Sequence, residues 1–113
     1  MLVVDDEPAI RLLCRINLEL EGFRVLEAGT LDEARSHLAD SVDVVLLDVH
    51  IGGERGATLL AEIAGRVPVA IVSGSSGEAI DVTAADTLLP KPFTIEELVA
   101  AVQALVAGTA APG

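Results

Sequence analysis

The chain has 113 residues, 51% of them hydrophobic, enough for one domain with a buried core and too little for two. Seven basic residues stand against eighteen acidic ones, a net charge of −11, and arginine and lysine never cluster as a phosphate-backbone footprint requires, so direct nucleic-acid binding is not expected. Cys14 is the only cysteine, and Met1-Leu2-Val3-Val4-Asp5-Asp6 has neither a basic leader nor an apolar run of spanning length, so a reducing, cytoplasmic setting without a membrane partner is expected.

Leu2-Val3-Val4 is a short β-branched run that ends in acids. Pro8 then suits the first turn of a helix whose apolar stripe is read as Leu12, Leu13, Ile16 and Leu20, and Gly22 stops it. Residues 23–28 read as a second strand, and Thr30 with Glu33 has capping-box spacing for a helix containing Ala34 and Leu38. A third strand, residues 42–48, is the most hydrophobic run in the chain and closes on Asp48. Residues 57–64 are helical in composition and Gly65 ends them, while 68–73 form a buried-type strand that stops at the hydroxyl of Ser73.

Beyond Ser73 the pattern weakens. Gly74-Ser75-Ser76-Gly77 precedes a stretch, 78–85, with room for only a short or irregular helix, and a brief strand is placed at 87–89. Thr94 and Glu97 form a second capping box, and Ile95, Leu98, Val99, Val102, Leu105 and Val106 give the last helix a clear apolar stripe. The folded domain is placed at 1–107 and a flexible tail at 108–113. Five strands alternating with five helices, the fourth of them short, predict an α/β fold: a doubly wound parallel sheet with both faces covered.

In such a sheet every strand delivers its last residue to one edge, so Asp5, Asp6, Asp48, Ser73 and Lys91 converge although they lie far apart in sequence. Three carboxylates gathered there repel unless a hard dication neutralises them, and an all-oxygen set open on one side suits Mg²⁺. Each residue alone has a plain structural explanation: an Asp-Asp pair is a common turn or cap, Ser73 a strand-end serine, and Lys91 a solvated lysine. Lys91 is nevertheless the only lysine in the chain and is clamped between Pro90 and Pro92, which suits a fixed partner for carboxylate or phosphate oxygens.

Val3-Val4-Asp5-Asp6-Glu7, Leu46-Leu47-Asp48, Ala70-Ile71-Val72-Ser73-Gly74 and Lys91-Pro92-Phe93 together resemble the motifs of bacterial response-regulator receiver domains, in order and across essentially the whole chain. The resemblance implies a flavodoxin-like fold with strand order 2-1-3-4-5. It implies that Asp48 is the phosphoacceptor, that Asp6 binds Mg²⁺ directly and Asp5 largely through water, and that the backbone carbonyl of His50 completes the protein ligands. Ser73 would be the switch hydroxyl and Lys91 the phosphoryl partner. It further implies a sensor histidine kinase or histidine phosphotransfer protein as donor, and a downstream protein target or fused output domain as reader. The resemblance thus implies a phosphoacceptor that catalyses its own phosphorylation and slow dephosphorylation rather than a conventional enzyme.

Two departures from the family stand out. Leu88 occupies a position where many receivers carry tyrosine or phenylalanine, and the segment between Ser73 and Lys91 is short, as in a mostly stand-alone subgroup with a reduced fourth helix. Ser73 and Leu88 would then be coupled through ordering of residues 74–86 rather than through an aromatic side chain. A haloacid-dehalogenase-type phosphohydrolase is the enzyme alternative, but it wants a second aspartate where His50 stands. A phosphate-independent interaction scaffold is the other.

Overall fold

The computed structural model describes residues 1–40, 42–51, 54–73, 86–90 and 92–110. The chain alternates β1 (Leu2–Val4), α1 (Pro8–Leu20), β2 (Leu26–Ala28), α2 (Leu31–Leu38) and β3 (Val45–Asp48). It continues through β4 (His50–Ile51), β5 (Glu54–Arg55), α3 (Gly56–Ile63), β6 (Val69–Ser73), β7 (Thr87–Pro90) and α4 (Ile95–Ala110). Five strands form one parallel sheet in the order β2-β1-β3-β6-β7, the expected 2-1-3-4-5 arrangement. The anticipated helix at 78–85 lies outside the described residues.

The alternation of side chains along each strand builds two cores. Leu2, Val4, Val45, Leu47, Val69 and Ile71 point to one face and pack with Leu31 and Ala34 of α2 and Leu59, Leu60 and Ile63 of α3. Val3, Leu46, Ala70 and Val72 point to the other and meet Cys14 and Leu18 of α1 and Leu98, Val102 and Leu105 of α4. Because β1, β3 and β6 are buried on both faces, they read as continuous apolar runs rather than alternating ones.

Local signals act where the sequence placed them. Phe23 N–H bonds Leu18 O and Gly22 N–H bonds Glu19 O, a Schellman closure of α1 that Gly22 permits at φ +95°. At α4 the capping box is reciprocal, with Glu97 N–H on Thr94 Oγ1 and Thr94 N–H on Glu97 Oε1. At α2 it is shifted: Thr30 Oγ1 accepts Glu33 N–H, but Glu33 Oε1 reaches back to Gly29 N–H.

Several boundaries differ from expectation. The second strand spans only Leu26–Ala28, because Phe23 N–H is taken by the end of α1 and the register with β1 begins at Leu2↔Leu26. An antiparallel hairpin, β4 with β5, which is not among the expected elements, follows Asp48. The last helix continues past 107 to Ala110, through the start of the anticipated tail.

The largest correction concerns α1. Leu12, Leu13, Ile16 and Leu20 are 45%, 43%, 48% and 78% exposed, while the buried face is Cys14 and Leu18 with Ile10 packed beside them. At 100° per residue the helix carries two apolar stripes, and hydrophobicity alone does not say which one meets the sheet.

Candidate functional site

The carboxyl ends of β1 and β3 are adjacent because the two strands pair directly, with Val4 opposite Leu47. The next residue of each chain segment, Asp5 and Asp48, therefore emerges at the same edge. Asp5 is 3% exposed and Asp48 7%, and they are the buried charged residues among those described. Asp6 lies at the exposed rim. One carboxylate oxygen from each of the three lies within 4.8 Å of the others.

Three hydrogen bonds from described residues hold Asp5. Its N–H extends the ladder to Ala28 O at 3.0 Å, its Oδ1 accepts Glu7 N–H at 2.9 Å, and its carbonyl accepts Arg11 Nη1 at 2.6 Å. Asp48 is supported from below by Gly56, the first residue of α3, whose N–H bonds Val49 O at 2.6 Å. A methyl group added to Gly56 would overlap Asp48 O and come within 3.1 Å of Val49 O. Only glycine lets α3 begin so close to the end of β3.

The donor set fits a hard dication. All three side chains offer oxygen, two are withdrawn from water, and the spread of 4.8 Å is near the roughly 4 Å across which opposite ligands of Mg²⁺ sit. Like charges this close are mutually repulsive in a partly desolvated edge, so a cation there lowers the energy of the folded state.

The other anticipated residues are placed by backbone. Ser73 ends β6 opposite Pro90 of β7, one step beyond the pairing of Asp48 with Val72, so it reaches the same edge. His50 opens β4, two residues past Asp48. Lys91 lies outside the described residues, directly after Pro90. Leu88 sits on the outer strand β7, about half exposed.

Two participants were not singled out from sequence. They are Gly56, beneath Asp48, and Arg11, on the Asp5 carbonyl. Neither carries a sequence signal by itself, since both act through contacts between segments that the fold brings together.

Comparison with known proteins gives consistent matches. The family model described as the response regulator receiver domain matches residues 1–103. The transcriptional regulatory protein CpxR of Klebsiella pneumoniae is 37% identical over 112 residues, covering 94% of this chain and 48% of its own length. KdpE of Mycobacterium tuberculosis is 34% identical over 113 residues, covering 94% and 50%. The chain thus spans about half the length of these relatives. Among solved structures, the receiver domain of NtrX from Brucella abortus has a TM-score of 0.83 at 30% identity, covering 94% of this chain and 97% of that one. The response regulator TrrA from Thermotoga maritima, solved in complex with Mg²⁺-BeF, has a TM-score of 0.82 at 31% identity, covering 92% and 96%.

Proposed function

Because the chain belongs to the response regulator receiver family, we propose that it is a phosphorylation-dependent switch whose phosphoacceptor is Asp48. The observation that carries this reading is the gathering of Asp5, Asp6 and Asp48 at one sheet edge. A carboxylate oxygen of Asp48 attacks the phosphorus of a phosphohistidine on a sensor kinase or phosphotransfer protein. The new O–P bond forms as the P–N bond breaks, and the departing imidazole keeps the electron pair and is protonated. Asp5, Asp6, Asp48 and the His50 carbonyl would hold Mg²⁺, which when bound neutralises charge on the transferring oxygens. Lys91 pairs with a phosphoryl oxygen and Ser73 offers its hydroxyl to another, so that loss of either weakens both transfer and readout.

The donor needs a surface as well as a nucleophile. Helix α1 starts two residues after Asp6, and its exposed stripe of Leu12, Leu13, Ile16 and Leu20 runs away from the acidic edge. An apolar stripe at helical spacing suits the helix of a protein donor docked alongside. The setting proposed is cytoplasmic, where such kinases deliver phosphate; no described helix is long and apolar enough to cross a membrane. The relatives named as transcriptional regulators are about twice as long as this chain, so the reader of the signal is proposed as a downstream protein or a fused output domain.

The test is incubation of wild type and Asp48→Asn with a small acyl phosphate and Mg²⁺, followed by mass measurement. One phosphoryl group on wild type and none on the variant is the expected result. Label retained by the variant refutes Asp48 as acceptor, and no label on wild type favours the phosphate-independent scaffold.

A further inference from the structure

The loop that carries Asp5 and Asp6 is tied to the body of the fold by an arginine outside the acidic cluster. Arg11 Nη1 donates to Asp5 O at 2.6 Å, while its Nε reaches Glu27 Oε1 on β2 at 3.3 Å. Glu27 is itself gripped by Arg15, whose Nη1 lies 2.6 Å from Oε2. The Arg11 side chain is only 19% exposed, and Gly29 makes room for it: a β-carbon there would sit 2.8 Å from Nη1. The guanidinium is therefore held from two sides, by the Asp5 carbonyl and the Glu27 carboxylate.

We propose that Arg11 is a positioning residue for the cation-binding carboxylates. The inference rests on the reading of the acidic edge as a Mg²⁺ site. The physical link is the planarity of the peptide group: Asp5 C=O and Asp6 N–H share one rigid plane. Holding the carbonyl sets that plane and with it the direction in which Asp6 leaves the loop. The Glu7 N–H bond to Asp5 Oδ1 fixes the neighbouring carboxylate, so both acids are delivered in a set relation to Asp48. Arginine suits the task because its planar fork serves two acceptors at once, whereas lysine serves one point.

Hydrogen-bonding partners behind metal ligands typically change affinity by about 10- to 100-fold when removed. Magnesium titration by calorimetry, with circular dichroism to verify folding, is the direct test. In Arg11→Gln the dissociation constant for Mg²⁺ rises about tenfold. Labelling of Asp48 by an acyl phosphate then needs correspondingly more Mg²⁺, yet reaches roughly the wild-type rate at saturation. Arg11→Lys, which keeps one bond to Asp5 O, restores part of the affinity. Glu27→Gln, which keeps the arginine but loosens its anchor, gives a smaller rise and decides the matter if Arg11→Gln does not fold. Wild type that binds no Mg²⁺ would overturn the metal site itself. Wild type that binds Mg²⁺ with a folded Arg11→Gln or Glu27→Gln of equal affinity overturns the role of Arg11 alone. Fewer competent molecules at unchanged affinity also overturns it, since that is what a merely structural arginine does.

Discussion

Gly56 sits beneath Asp48, its missing side chain leaving the space that the Asp48 backbone carbonyl occupies. The first turn of α3 is thereby pressed against the end of β3, and the Gly56 N–H bond to Val49 O locks the two together. The position of the buried carboxylate thus depends on a residue eight places later, in another element.

Gly56→Ala is expected to destabilise the fold by about 1–3 kcal/mol, the usual cost of forcing a methyl group into a filled space. Because the atoms in the way are backbone, relief must come from moving α3 or the Asp48 segment, so Asp48 labelling should slow in the fraction that remains folded. Denaturant unfolding paired with acyl-phosphate labelling checks both. Wild-type stability and rate together would contradict the close approach.

Magnesium should raise the unfolding midpoint. At a free concentration a hundred times its dissociation constant, a ligand specific for the folded state adds about 2.7 kcal/mol. Asp6→Asn or Asp48→Asn should remove most of that gain, because each takes one oxygen charge from the cluster. Thermal scans with MgCl₂ against NaCl of equal ionic strength separate site binding from screening; an equal shift with both salts contradicts a specific site.

A docking role for the exposed face of α1 predicts a split between donors. Ile16→Glu should change stability by no more than about 0.5 kcal/mol, since the residue is about half exposed and belongs to neither core cluster of the described residues. Transfer from a cognate protein donor should fall roughly tenfold or more, while labelling by a small acyl phosphate is unchanged. Equal loss with both donors would place the defect in Asp48 chemistry instead of docking.

Arg35 joins α2 to α3, its Nε and Nη2 lying 3.1 and 2.8 Å from the two Glu62 oxygens. The hydrogen bonds hold the Glu62 carboxyl below its ordinary range and raise the guanidinium further. With its folded pKa depressed, Glu62 contributes stability above the unfolded glutamate value and loses it as pH falls through the lower, folded one. The difference in midpoint between wild type and Arg35→Gln should therefore be present at neutral pH and close in acid. It should be small, since the two side chains are 37% and 44% exposed, and smaller still in high salt. A gap that is constant from neutral pH to about pH 3 refutes the pair as its source.

Local chemistry was legible wherever one segment suffices to express it. Pro8, Gly22, Thr30, Gly65 and Thr94 mark helix ends through backbone preferences that hold in any fold, and each acts where it was read. The apolar runs into Asp5 and Asp48 are legible for a related reason, since a strand covered on both faces has no polar alternation to hide it. Residues 74–85 and Lys91 lie outside the described residues, so their expected parts in the switch stay with the proposed function.

Sequence by itself thus determined the alternating elements, the parallel sheet and the acids that end its strands, because these depend on propensity and hydrophobic period along the chain. Tertiary structure alone decided which stripe of α1 is buried, why residue 56 must be glycine, and that Arg11 holds the Asp5 carbonyl. Those outcomes are set by contacts between segments distant in sequence, and no local period encodes the phase or the spacing at which such segments meet.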